Sequence, residues 1–147
     1  MEIGIHHVAA LDAESLAGYH IFVLPGDRIV DQETFFEAVR ATLPLDPPLM
    51  SNRVWDAMSD SLWEGLYQHP AKHIAIVWPN ARLLKRADPS AFEAAISVLS
   101  DVVHLLGDAR ATQDKTKHIA VVVESDREPG SRTVRRLRGA DRSPCRR

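Results

Sequence analysis

The run HIAIVW at residues 73–78 decides the fold class, because its apolar character is nearly continuous at its centre instead of alternating. A short continuous run is typical of a strand that is covered on both faces or lies centrally in a sheet. Two similar runs, YHIFVL at 19–24 and HIAVVVE at 118–124, are likewise followed by polar or turn-forming residues. We therefore predict one strand within each of the three runs.

The segments between these runs have helical periodicity. Asp31 and Asp88 are suitable N-cap residues, and Pro89 stands where the first helical turn accepts proline. The order strand, helix, helix, strand, helix, strand favours parallel pairing with right-handed connections. We predict an α/β fold in which a small three-stranded parallel sheet packs with helices near residues 32–42, 54–66 and 89–106.

Length and composition narrow the class of protein. The chain of 147 residues suits one domain with its own core. No run approaches the roughly 18 apolar residues of a membrane-spanning helix, and the N-terminal residues lack the features of a secretory signal. We therefore expect a cytoplasmic protein without membrane association. The one cysteine, Cys145, excludes an intrachain disulfide and a cysteine-based zinc cluster.

Charge is distributed unevenly along the chain. Residues 1–124 contain 17 acidic and 10 basic side chains, a net charge of −7, whereas residues 125–147 contain 3 and 8, a net charge of +5. The second segment has few apolar residues, so we predict a basic disordered tail. A nucleic-acid-binding arm is the alternative interpretation of its arginines. Residues 19–124 are the predicted domain, and residues 1–18 are an extension that is either loose or packed on the domain edge.

The segment VWDAMSDSLWEGL at residues 54–66 places Asp56, Asp60 and Glu64 four residues apart, with no Lys or Arg among them. On a helix these carboxylates share one face, where each like-charge pair costs about 0.2–0.5 kcal/mol. Spacing alone leaves four interpretations open: a solvated face, a catalytic carboxylate pair, part of a metal site, or a docking face for a basic partner. A docking face explains the tolerated repulsion, because the opposing charge then arrives with the partner.

The sequence Asp56-Ala57-Met58-Ser59-Asp60-Ser61-Leu62 resembles the pattern D-A-L-x-D-x-L of the inhibitory helix in the barstar family, which are intracellular inhibitors of secreted guanyl-specific ribonucleases. The order of elements over about residues 19–124 is similar as well. The resemblance implies that the helix and the loop before it plug a ribonuclease active site. It implies that Asp56 and Asp60 take the place of substrate phosphates, with Asp60 in the phosphate site.

The chain departs from the family pattern around this helix. The preceding loop reads DPPLMSNR, with Met50 where an aromatic residue would stand and Asn52 shifted in position, and Ser59 replaces a tryptophan before the second acid. Trp63 and Glu64 in the next turn are expected to compensate. The predicted partner-binding residues are Asn52, Asp56, Ser59, Asp60, Trp63 and Glu64.

No other group of residues suggests catalysis, a cofactor or a metal site. The seven histidines form no HExxH motif; His20, His73 and His118 stand at or near predicted strand starts and are interpreted as rim residues. The resemblance implies a non-enzymatic, immunity-type inhibitor whose partner is a secreted or toxin-type ribonuclease. Direct binding of nucleic acid by the folded domain is not expected. The alternative is a regulatory protein-interaction module that binds a basic partner other than a nuclease.

Overall fold

The computed structural model describes residues 1–125, so nearly all of the predicted basic tail lies outside the described residues. The strands and α-helices in chain order are β1 (Gly4–Val8), β2 (His20–Val23), α1 (Gln32–Thr42), α2 (Trp55–Gln68), β3 (His73–Trp78), α3 (Arg82–Ala87), α4 (Pro89–Leu106) and β4 (His118–Glu124). Two short 3-10 helices, Ala13–Leu16 and Gly26–Arg28, lie before and after β2.

The four strands form one parallel sheet in the order β1-β4-β3-β2. The three predicted strands and their parallel pairing are confirmed, and the register places His73 beside His118. The prediction of a three-stranded sheet is wrong, because Gly4–Val8 pairs with β4 as a fourth strand. This strand reads GIHHV and pairs on one side only, so it lacks the continuous apolar run by which central strands are recognised.

The helices agree closely with the predicted periodicity. Helices α1 and α4 have the predicted bounds, and α2 continues two residues beyond the expected end, to Gln68. Asp31 closes a capping box with Thr34 at the start of α1, and Asp88 accepts a hydrogen bond from the Ala91 N–H at 3.1 Å. The short helix α3 was not predicted, because its sequence RLLKRA has no extended apolar period.

The core lies mainly between the sheet and the helices. Its largest fully buried side chains include Trp78, Phe35, Phe36, Met58 and Leu62. The opposite face of the sheet is covered by the connection from β1 to β2, which buries Leu16 against Ala75, Val77 and Val122. Residues 1–18 therefore supply both an edge strand and part of the cover of the sheet.

Helix α4 satisfies the length and composition of a membrane span, with 18 residues and a mean hydropathy of 1.2. In this fold 44% of that helix is buried inside the protein. Its apolar side packs against α2 and the sheet, with Phe92, Leu99 and Leu106 in the core. The apolar composition is therefore accounted for by its position as the core helix.

Candidate partner-binding face

Helix α2 is seated on the core by one side. Met58, Leu62 and Leu66 are fully buried, and the half-buried Trp55 packs its ring against Phe36, with centroids 4.9 Å apart. No side chain caps the first turn, but Asp56 within that turn interacts favourably with the positive end of the helix. Core packing on this side leaves the other side of α2 directed outward.

The outward side carries the acidic residues. Asp56 and Asp60 are exposed, and neither side chain forms an ion pair or hydrogen bond with any residue in the range 1–125. Glu64 differs from these two acids, because it is half-buried and its Oε2 accepts a hydrogen bond from Gln68 Nε2 at 2.6 Å. Two of the three carboxylates are therefore uncompensated within the described protein.

Four of the predicted site residues line one shallow pocket of about 330 Å³: Ser59, Asp60, Trp63 and Glu64. Its remaining walls are Leu105, from the last turn of α4, and Ala111, from the connection that follows α4. The pocket thus places two carboxylates beside an indole and an exposed leucine. Such a surface can receive a cationic side chain with its charge at the carboxylates and its carbon stem on the apolar wall.

The orientation of Trp63 is fixed from behind. Its ring stacks on Tyr67 at a centroid distance of 4.8 Å and an interplanar angle of 15°. The Tyr67 hydroxyl donates to the carbonyl of Thr112 at 2.9 Å, which joins this pair to the connection after α4. Trp63 is therefore presented as a preorganised aromatic surface, a property that favours binding because little conformational entropy is lost.

The loop at residues 43–54 is held against α1 by Arg40. Its guanidinium donates Nη1 to the carbonyl of Leu49 at 3.2 Å and Nη2 to Asn52 Oδ1. The Asn52 carbonyl also accepts from Gln32 Nε2 at 3.0 Å. The structure therefore brings Asn52 next to the acidic helix, but its side-chain oxygen already has a partner within the protein.

The same loop is seated directly on α2. The Asp46 N–H donates to the Ser61 carbonyl at 3.0 Å, and the Pro44 carbonyl approaches Gly65 so closely that a Cβ there would lie 2.1 Å from the oxygen. Leu49 is buried, whereas Met50 beside it is 91% exposed. The loop is thus anchored at several points and presents Met50 to solvent.

Sequence reasoning did not include three residues of this face. Leu105 and Ala111 stand 37 and 43 positions after Gln68, the last residue of α2, and only the packing of α4 beside α2 brings them to the pocket. Met50 was noted as a departure from the family pattern but was not assigned to the site. A large apolar residue in a loop rich in proline and polar residues was the available signal.

A family model described as barstar (barnase inhibitor) matches residues 19–124, which is more than half of the chain. The chain belongs to the barstar family. Comparison with curated proteins and with solved structures gave no significant match. The matched range begins after β1, so the fourth strand lies outside the barstar match.

Membership of the barstar family assigns a role at the level of the family. Its members are inhibitors that bind barnase-type ribonucleases through protein–protein contact, and they are not enzymes. All six predicted site residues lie within the matched range. In residues 1–125, no group of three or more His, Cys, Asp or Glu side chains is arranged to hold a metal ion.

Proposed function

We propose that this chain is a cytoplasmic, immunity-type inhibitor of a microbial ribonuclease of the guanyl-specific class. In this proposal the outward side of α2 enters the active site of the ribonuclease, and Asp56 and Asp60 occupy the positions of substrate phosphates. The Met50 loop borders the contact. The target is a secreted or toxin-type ribonuclease that the producing cell must neutralise.

One observation carries the proposal: Asp56 and Asp60 are exposed and lack any cationic partner within residues 1–125, although they stand on a helix anchored in the core. Carboxylates one helical turn apart repel each other in the free protein, and a basic partner would relieve that repulsion. A ribonuclease cleft supplies one, because the site that binds phosphate concentrates basic side chains. The family match supports the same assignment.

The rest of the face supports a protein partner. The pocket beside Asp60 combines carboxylates with Trp63 and Leu105, and aromatic anchors next to charged groups are typical of interface centres. The net charge of −7 on residues 1–124 favours attraction to a basic cleft over long distances. It opposes binding of the folded domain to nucleic acid phosphates.

The test is inhibition of a panel of purified microbial guanyl-specific ribonucleases by the wild-type chain and by two variants. Asp60→Asn removes the charge at the proposed centre while keeping the shape of the side chain. Asp101→Asn removes an exposed carboxylate from α4 and is the matched control. We expect inhibition of at least one ribonuclease by the wild type and by Asp101→Asn, and a large loss with Asp60→Asn.

A cellular experiment tests the immunity role and the compartment. A ribonuclease that the chain inhibits is produced without its secretion signal, together with the chain, inside one cell. Survival that depends on Asp60 supports a cytoplasmic immunity function. If no ribonuclease in the panel is inhibited, while the chain binds a basic protein through Asp60, the inhibitor assignment is wrong. The alternative function, a regulatory protein-interaction module, then takes its place.

A further inference from the structure

A cluster of basic and aromatic rings lies at the amino edge of the sheet, outside the face described above. The His20 and His69 rings are 4.6 Å apart, and the His73 and His118 rings stack at 5.1 Å. Tyr19 packs against the second pair, with centroid distances of 5.7 and 5.5 Å. The proposed function uses none of these groups.

His69 is the member of the cluster whose hydrogen bonding requires one protonation state. It follows α2 directly, and its Nδ1 accepts a hydrogen bond from the Ala71 N–H at 3.1 Å. Only an unprotonated Nδ1 can accept, so this bond exists with neutral imidazole. A proton on Nδ1 would place two donors against each other at the turn that joins α2 to β3.

The surroundings of His69 oppose a positive charge. His20 faces it from β2, and Lys117 beside the start of β4 donates from Nζ to the carbonyls of His69 and Ala71, the latter at 2.8 Å. Lys72 stands in the turn between α2 and β3. The Phe22 ring packs edge-on against the His69 ring, with centroids 5.6 Å apart. Within residues 1–125, no carboxylate forms an ion pair with any of these groups.

The direction in which the pKa of His69 is shifted agrees with this geometry. Burial, reinforced by the charges of His20 and Lys117, lowers the pKa of His69 below its ordinary value of 6.5. Between the lowered pKa and about pH 6.5, the folded protein therefore binds fewer protons at His69 than the unfolded chain does. The stability that neutral His69 contributes is complete above about pH 6.5 and is lost as the pH falls through the lowered pKa.

We propose that His69 is a pH-sensitive latch: its neutral imidazole closes the junction between α2 and β3, and protonation opens that junction. The latch acts at the C-terminal end of α2, whereas Asp56 stands in the first turn, so the device does not depend on the ribonuclease assignment. As the pH falls, the end of α2 and the turn at residues 69–72 become loose before the strands of the sheet do.

His118 provides an internal contrast at the same edge. Its Nε2 lies 2.8 Å from the Met1 carbonyl and 2.7 Å from the Tyr19 hydroxyl, which itself donates to Met1 O at 2.6 Å. A protonated imidazole donates to these oxygens without conflict. Protonation of His118 therefore preserves its hydrogen bonds, whereas protonation of His69 breaks one.

The first test follows the wild-type chain by NMR between pH 8 and pH 4.5. The imidazole signals of His69 should titrate with a midpoint below that of an unstructured histidine. The Ala71 amide should change its chemical shift and lose exchange protection with the same midpoint. A His69 that titrates normally, or an Ala71 amide that is indifferent to its titration, would overturn the proposal.

The second test compares thermal unfolding of three proteins at pH 7.5 and pH 5.0. His69→Asn replaces Nδ1 by an amide oxygen that accepts without titrating, and His118→Asn is the matched control. Wild type and His118→Asn should lose about 5 °C or more in Tm at the lower pH. His69→Asn should lose less than half as much in Tm. An equal loss in all three proteins contradicts the latch.

Discussion

Arg40 and Asn52 join the first helix to the loop that precedes the acidic helix: the guanidinium donates from Nη2 to Asn52 Oδ1 and from Nη1 to the Leu49 carbonyl. The two residues lie 12 positions apart, on either side of a segment without regular structure. Because Met50 stands between the two fastened points, this clamp determines where the loop presents its exposed methionine.

Replacing Arg40 by alanine should loosen the loop without unfolding the domain. The carbonyl of Leu49 and the side chain of Asn52 lose a charged donor, which typically costs about 1.5–3 kcal/mol for a bond to a charged group. We expect a reduction of the free energy of unfolding in that range, measured by urea denaturation. Amide exchange should rise in residues 49–52 and remain unchanged in β3 and β4. Unchanged exchange in the loop would exclude the clamp.

Replacing Gly65 by alanine should displace the same loop from α2. The new Cβ would lie 2.1 Å from the Pro44 carbonyl oxygen, so backbone must move, and overpacking of this kind typically costs about 1–3 kcal/mol. Gly107→Ala is the control, because its Cβ would meet no atom closer than 3.5 Å. Urea denaturation of both variants separates the steric cost from the general effect of alanine in place of glycine. Equal stabilities would show that the loop adapts freely.

Truncation at the two ends of the chain should have opposite outcomes. Removal of residues 1–8 deletes β1 and leaves the backbone of β4 unpaired on that side, so we expect Tm to fall by more than about 5 °C. Removal of residues 126–147 should leave Tm nearly unchanged, because that segment contains few apolar residues to bury. Differential scanning calorimetry of both truncated chains gives the comparison. A large loss on removing residues 126–147 would contradict the predicted tail.

Much of this architecture could be predicted from sequence because the relevant signals are local. Continuous apolar runs identified β3 and β4, and the caps at Asp31 and Asp88 identified the starts of α1 and α4. The strand β1 escaped detection because an edge strand needs no continuous apolar run. The partner of Glu64, the clamp on Asn52 and the pocket wall at Leu105 depend on tertiary packing, which spacing alone does not reveal.

Asp31 should contribute to stability in a pH-dependent way. The Thr34 hydroxyl and the Thr34 backbone N–H both donate to the Asp31 carboxylate. These hydrogen bonds, of which the hydroxyl's contributes more, lower the pKa of Asp31 below its ordinary value of 3.8. Its ionised form therefore stabilises the fold above about pH 3.8, and this contribution is lost as the pH falls through the lowered pKa. Asp31→Ala should cost about 1 kcal/mol at pH 6 and less at pH 3.

The control for this cap is Asp31→Asn, which retains an oxygen acceptor that does not titrate. Urea denaturation at pH 3 and pH 6 should show a similar free-energy difference between Asp31→Asn and Asp31→Ala at both values. The difference between wild type and Asp31→Ala should instead decrease in acid. A constant difference for wild type would mean that the charge on Asp31 does not contribute to the cap.

The two acids that border the pocket should affect different steps of ribonuclease binding. Asp60 is exposed and unpaired in the free protein, so its charge becomes desolvated only in the proposed complex. Asp60→Ala would leave cationic groups of the partner buried without a counter-charge. We expect faster dissociation and a loss of binding free energy of at least about 2 kcal/mol. This figure is general for interface charges, and barnase–barstar is itself one of the complexes behind it.

Glu64 should behave differently, because its carboxylate already accepts a hydrogen bond from Gln68 and gains less from a partner. Glu64→Ala should mainly slow association and cost about 0.5 kcal/mol. Stopped-flow binding to a ribonuclease that the wild type inhibits separates the two rate constants. Association of the wild type should reach about 10⁸ M⁻¹s⁻¹ at low salt and slow steeply as salt rises. If Asp60→Ala dissociates as slowly as wild type, the carboxylates are only a solvated face and the inhibitor mechanism is wrong.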